Sequence, residues 1–186
     1  MPKDIGTLFK PDMVRALLRE VNPKRQTRRL HQLGQVGDVL WCREAWRTHE
    51  VYDNFPPRSV PVEAHVLYEA DGTARPAING DMVPYGKLRP SMFMCRWMSR
   101  LDLPLVEVRQ EPLQAISDED AIKEGILPHR KGGWHWEEPP EGIEGSNHFG
   151  FKTPRDAFLV LWECINGVES RNANPTVFVH TFERTK

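Results

Sequence analysis

Only three stretches of this sequence read as helix, and each is closed off by its own local stop signals. β-type segments surround them without regular alternation, and this constrains the fold more than any motif does. The spacing predicts a first helix opening at Pro11, where a proline suits the first helical position. Val14, Leu17 and Leu18 give it an apolar face, and Asn22-Pro23 stops it. Ser117 to Asp120 reads as a capping box, with the Ser117 hydroxyl accepting from the third N–H and Asp120 reaching back. That short helix ends at Gly125, a left-handed cap. Thr153 to Asp156 opens a third helix with Ala157, Phe158, Leu161, Trp162 and Ile165 on its apolar face, closed by Asn166-Gly167. Strands are predicted at Ile5–Phe9, Val39–Cys42 after a Gly37-Asp38 turn, His65–Glu69, Leu101–Val108 and Thr176–Phe182. Pro104 marks the fourth of these as a bulged or edge strand. The order β-α-β-β-β-α-α-β argues against a doubly wound parallel sheet. It favours an α+β fold, a small mixed barrel with appended helices.

Two stretches, residues 71–91 and 128–152, are rich in glycine and proline and read as long loops inserted in one domain spanning 1–186. A chain of 186 residues is expected to form a single domain. Its formal net charge of −1 excludes a globally basic nucleic-acid coat and an acidic disordered tail. No apolar run is long enough for a membrane span, and the first residues lack the apolar run of a signal peptide. The expectation is a cytoplasmic protein with no membrane partner. Cys42, Cys95 and Cys164 are widely spaced, which suits a reduced compartment without structural disulfides.

The near-neutral total hides an uneven distribution. Arg15, Arg19, Lys24, Arg25, Arg28 and Arg29 stand against Glu20 alone, whereas 107–124 is acidic. The two segments make a bipolar site if they face one pocket, and otherwise are solvated faces, the commoner case. Phosphate-loop, dinucleotide and nucleophile-elbow motifs are absent. The sharpest local signal is Lys24-Arg25-Gln26-Thr27-Arg28-Arg29, read as a basic loop after a helix stop. It suits oxyanions, and its cations would depress the Lys24 pKa so that the amine takes the Thr27 proton. Glu124 sits at a helix C-terminus, the wrong end of the dipole for a carboxylate, which points either to a raised pKa or to a cationic partner elsewhere. In 89–100, Arg96 and Arg100 interleave with Phe93 and Trp97, either as a base-stacking wall or as core under a basic rim. Gly133-Trp134-His135-Trp136 reads as a loop packing two aromatics rather than a metal site. Trp41, Trp46, Phe158, Trp162, Val177 and Val179 are expected in the core.

Taken in order, these segments resemble the ASCH family of the PUA-like superfamily, as found in bacteriophages and prophages. The likeness rests on Leu8-Phe9, Met13 to Leu18, Lys24 to Arg29, Gly37 to Trp46, Arg89 to Arg100, Ile116 to Ile126 and Asn172 to Val179. It covers nearly all of the chain outside the two loops. It implies a PUA-like small mixed β-barrel with flanking helices around a cleft for RNA, DNA or a modified nucleoside. One branch consists of small amidohydrolases that deacylate N4-acetylcytidine with a lysine, a threonine three residues on, and a glutamate on the short helix. Those positions fall on Lys24, Thr27 and Glu124, as general base, nucleophile and proton donor, with Arg29 stabilising developing charge. The resemblance implies neither a metal nor a cofactor. This chain is longer than those enzymes, chiefly in its two loops. A non-catalytic RNA-binding module is the alternative, with Lys24, Arg25, Arg28, Arg29, Arg96 and Arg100 on phosphates and Trp97 or Trp46 stacking on bases. An ASCH-type ribonuclease is another.

Overall fold

A computed structural model describes residues 1–75, 84–129, 132–136 and 150–185. The parts of the two expected loops at 76–83, 130–131 and 137–149 lie outside the described residues. Among the described residues, ten strands and four α-helices follow one another. They are β1 (Asp4–Leu8), α1 (Pro11–Leu18), β2 (Gln26–Arg29), β3 (Val39–Arg43), β4 (Trp46–Arg47), β5 (Val66–Tyr68), β6 (Ala74–Arg75), β7 (Asp102–Pro112), α2 (Asp118–Lys123), β8 (Leu127–Pro128), β9 (Trp134–His135), α3 (Pro154–Asn166), α4 (Val168–Asn172) and β10 (Thr176–Phe182). The fold is α+β. Among the described residues, no helix is long and apolar enough to cross a membrane.

The central sheet has the order β1-β3-β7-β10-β2. β1 runs parallel to β3, and the other neighbours are antiparallel. The expected closed barrel is not formed among the described residues: β1 and β2 are the outer strands of an open sheet. A side chain links these two edges instead. Arg29 Nη2 donates to the Leu8 carbonyl at 3.0 Å, and its guanidinium lies 5.7 Å from the Phe9 ring centre.

Two expectations about strands are corrected. β7 carries the irregularity of the bulged alternative, a register shift opposite Thr181/Phe182, but it is no edge strand. Its first residues pair with β3, Val39 opposite Pro104, and the rest pair with β10 as far as Thr176 opposite Pro112. Pro104 is tolerated because it sits where β7 leaves one neighbour for the other, beside a register shift at Thr181/Phe182. The second correction is that Lys24 to Arg29 is not simply a loop. Gln26–Arg29 is a strand paired to β10, with His180 opposite Thr27. Its buried side chains are polar, so no apolar alternation announces it.

The helices follow their caps. Ser117 Oγ accepts from the Asp120 N–H at 3.1 Å, and Thr153 Oγ1 accepts from the Asp156 N–H at 3.0 Å. The first helix stops at Leu18, well before Asn22, which takes a positive φ of 49°. Three apolar clusters form the core. One lies under α2 and α3 against Val177 and Val179, and one between α1 and the β3–β7 pair. The third gathers Trp46, Tyr68, Met94 and Met98 beside the small β4-β5-β6 sheet. Trp46, Phe158, Trp162, Val177 and Val179 are buried as expected, while Trp41 is only half-buried, beneath the guanidinium groups of Arg43 and Arg96. Within the second expected loop, β8 and β9 pair, and Trp134 bridges to Phe151.

Gly125 lets α2 end against α1. Its φ is +111°, and a Cβ there would stand 3.3 Å from the Ala16 Cβ and 3.7 Å from the Lys24 Cβ. Gly125→Ala is expected to lower stability by about 2 kcal/mol, read from the urea midpoint. An unchanged midpoint would contradict this packing.

Candidate functional site

Lys24 enters the structure through its backbone. Its N–H donates to the Ala16 carbonyl at 2.9 Å at the end of α1, and the next N–H, of Arg25, donates to Lys123 of α2 at 2.8 Å. The chain is thus pinned between two helices before it joins the sheet as β2. The Lys24 side chain is turned inward and buried. Its Nζ donates to Glu124 Oε2 at 2.6 Å and to the Glu124 carbonyl at 2.7 Å. The C-terminal carboxylate of α2 thereby finds the cationic partner that its unfavourable place on the dipole requires.

Arg28 completes the pair. Its five N–H groups make five bonds, matching its full donor capacity. Nη1 donates to Glu124 Oε1 at 3.0 Å and to Gln26 Oε1 at 2.7 Å. Nη2 donates to Glu111 Oε1 at 2.6 Å and to Asp120 Oδ2 at 3.1 Å, and Nε to Glu111 Oε1 at 3.2 Å. The Phe158 ring covers the guanidinium at 5.5 Å. The basic and acidic segments therefore meet in one buried network. Asp120 does not reach back to its cap as expected. Its carboxylate is taken by Arg28, Arg109 and Lys123.

These residues border a cavity of about 220 Å³ beside the free edge of β2, between α1 and α3. Lys24, Thr27, Arg28, Arg29 and Glu124 line one side. Phe158, Trp162 and Trp136 line the other. His180, opposite Thr27, is fully buried and accepts the Leu33 N–H on Nε2 at 3.0 Å, which ties the chain after β2 to the sheet. Burial, aided by the Arg29 charge, holds its imidazole below the usual value.

Burial lowers the Lys24 pKa from 10.5, and the charges of Arg29 and Arg28 push the same way, while Glu124 opposes them. Burial also lowers Arg29, again against Glu124. Asp120 lies below 3.8: burial opposes this, but Lys123, Arg109 and Arg28 prevail.

Not every expected residue reaches the cavity. Arg25 is exposed and borders a separate groove with Arg19, Glu183 and Arg184 instead. Arg96 pairs with Asp4 and Asp102. Arg100 holds Glu44 with two bonds of 2.8 Å, pairs with Asp71 and lies over the Tyr68 ring. Trp97 packs with the third apolar cluster. Sequence reasoning missed the anchoring carboxylates of Glu111 and Asp120, and Trp136 as a cavity wall. Gly133-Trp134-His135-Trp136 had read only as aromatic packing, and no local signal ties it to Lys24. Among the described residues, no three His, Cys, Asp or Glu side chains group as metal ligands. No protein-family model, curated protein or solved structure matches this chain.

Two outcomes follow. Arg28→Met should cost about 3–5 kcal/mol in a denaturant titration, because it strands buried carboxylates. Exposed Arg25→Ala should stay within about 0.5 kcal/mol, and equal losses would contradict the network. In pH, the folded Lys24 pKa lies below 10.5, so the unfolded chain binds more protons between the two values and stability rises with pH there. The wild type should therefore gain stability relative to Lys24→Met as pH is raised from neutrality toward 10.5. A flat or falling difference would contradict it.

Proposed function

We propose that the cavity recognises a modified nucleoside and hydrolyses its exocyclic amide, with N4-acylated cytidine as the reference substrate, in the manner of the PUA-like ASCH amidohydrolases that the chain resembles. The observation that carries this reading is the buried 2.6 Å contact between Lys24 and Glu124 in the wall of a cavity that Thr27 also lines. An ammonium on that lysine is disfavoured by burial and by two guanidinium neighbours. Burial and these neighbours thus make the ammonium easier to deprotonate, against the pull of Glu124, which is the direction a general base needs.

Thr27 Oγ1 attacks the acyl carbon and passes its proton to Lys24 Nζ. A C–O bond forms and the carbonyl oxygen becomes an oxyanion, which Arg29 stabilises. Glu124 Oε2 shares the proton with Lys24 and delivers it to the exocyclic nitrogen as the C–N bond breaks. Water then cleaves the threonyl ester, releasing the acid and restoring the hydroxyl. Arg28 spends its donors on side chains of the protein itself. It holds Glu124 at the angle that faces Lys24.

The cavity size supports a single base over a polymer. A volume of about 220 Å³ is smaller than the ~300–1,000 Å³ of drug-sized sites. Its aromatic walls offer flat apolar faces to a base. The cations assigned to phosphates in the RNA-binding alternative count less, because Arg28, Arg96 and Arg100 are engaged with carboxylates of the chain itself.

Purified protein should release acetate from N4-acetylcytidine, followed by liquid chromatography. Lys24→Ala, Thr27→Val and Glu124→Gln should each lower kcat by at least about 10²-fold. Release that survives Lys24→Ala would overturn the mechanism. No release from any acylcytidine would turn the reading toward RNA binding or cleavage, to be measured on labelled RNA.

A further inference from the structure

Two tryptophans border the cavity, and their indole N–H groups are in different states. Trp162 Nε1 donates to Ser170 Oγ at 3.1 Å, so its polar edge is satisfied within the protein. Trp136 is about nine-tenths buried, yet among the described residues its Nε1 has no hydrogen-bond partner. Buried tryptophan N–H groups nearly always find an acceptor. Trp136 is also firmly held: its ring stacks on Phe151 at 5.6 Å with 17° between planes, and β9 leads into it. Trp46 Nε1 is unpaired as well, but of the two only Trp136 lines this cavity, where a ligand can bring an acceptor.

We propose that Trp136 is a specificity-determining residue of this site, donating its indole N–H to a ring carbonyl on the edge of a planar heteroaromatic base. Phe158 and Trp162 supply the apolar faces for that base, and Lys24, Thr27 and Glu124 supply the reacting side. The ligand class is therefore a 2-oxopyrimidine rather than any flat amide. This choice of ligand rests on the functional reading above, whereas the role of the indole as donor does not depend on turnover.

The test uses protein carrying ¹⁵N in its tryptophan indoles, titrated with cytidine. One indole cross-peak, the one missing in Trp136→Phe, should move downfield as cytidine binds. Trp136→Phe should weaken cytidine about tenfold, and Trp162→Phe, which removes an indole already bonded to Ser170, should weaken it less. With acylated substrates, Trp136→Phe should raise KM for N4-acetylcytosine with little change in kcat, and leave the use of acetanilide, which lacks a ring carbonyl, unchanged. A stationary Trp136 signal, absence of cytidine binding, or equal weakening in both tryptophan variants would overturn the inference. A moving Trp136 signal without hydrolysis of N4-acetylcytidine would uphold it while removing the amidohydrolase reading.

Discussion

The Arg28 guanidinium is the group on which the rest of this structure depends. Its side chain is wholly screened from water, and it ties β2 to β7 through Glu111 and to α2 through Asp120 and Glu124. A buried guanidinium is tolerated only where its donors are met by acceptors, and here four bonds go to carboxylates and one to the Gln26 amide oxygen. The network therefore specifies a single arrangement of strand and helix. Any slip of β2 against β10 by one residue would turn Arg28 to the other face and strand three carboxylates.

This constraint explains how a strand of polar residues can sit at the edge of the central sheet. Apolar burial does not hold β2. Its pairing with β10 and the charge network do so, assisted by Phe158 over the guanidinium and Phe9 beside Arg29. Because β2 is the outermost strand of the sheet among the described residues, a cavity remains between α1 and α3, and Lys24 is delivered to it just ahead of the strand. The order of causes runs from Arg28 to the position of Glu124, and from Glu124 to the environment of the Lys24 amine. A reactive amine and its proton partner are thus held by the same interactions that hold the fold.

What was legible in the sequence was local. Caps at Ser117 and Thr153, the left-handed glycine at 125 and the β-branched run at Thr176–Phe182 all depend on residues a few positions apart, and the structure carries them. The strand at Gln26–Arg29 was not legible, because the carboxylates that hold Arg28 lie 83 to 96 residues away, its pairing strand β10 lies farther still, and its burial is electrostatic. For the same reason Arg96 and Arg100 read as free cations, although Asp4, Asp102, Glu44 and Asp71 claim them. The Lys24, Thr27 and Glu124 pattern came from a resemblance, since no spacing rule links residues a hundred positions apart. Trp136 was hidden in a stretch whose glycines and prolines signal only a loop.

The central claim is that Lys24 is an amine whose charge is disfavoured by burial and restrained only by Glu124. Its titration can be followed directly by NMR in protein labelled with ¹³C at the lysine ε-carbon, with Lys24 assigned by its absence in Lys24→Met. The account predicts a midpoint below 10.5 that moves further down in Glu124→Gln, because that substitution removes the charge that raises it. A Lys24 resonance that titrates at 10.5 or above, or one indifferent to Glu124→Gln, would contradict it.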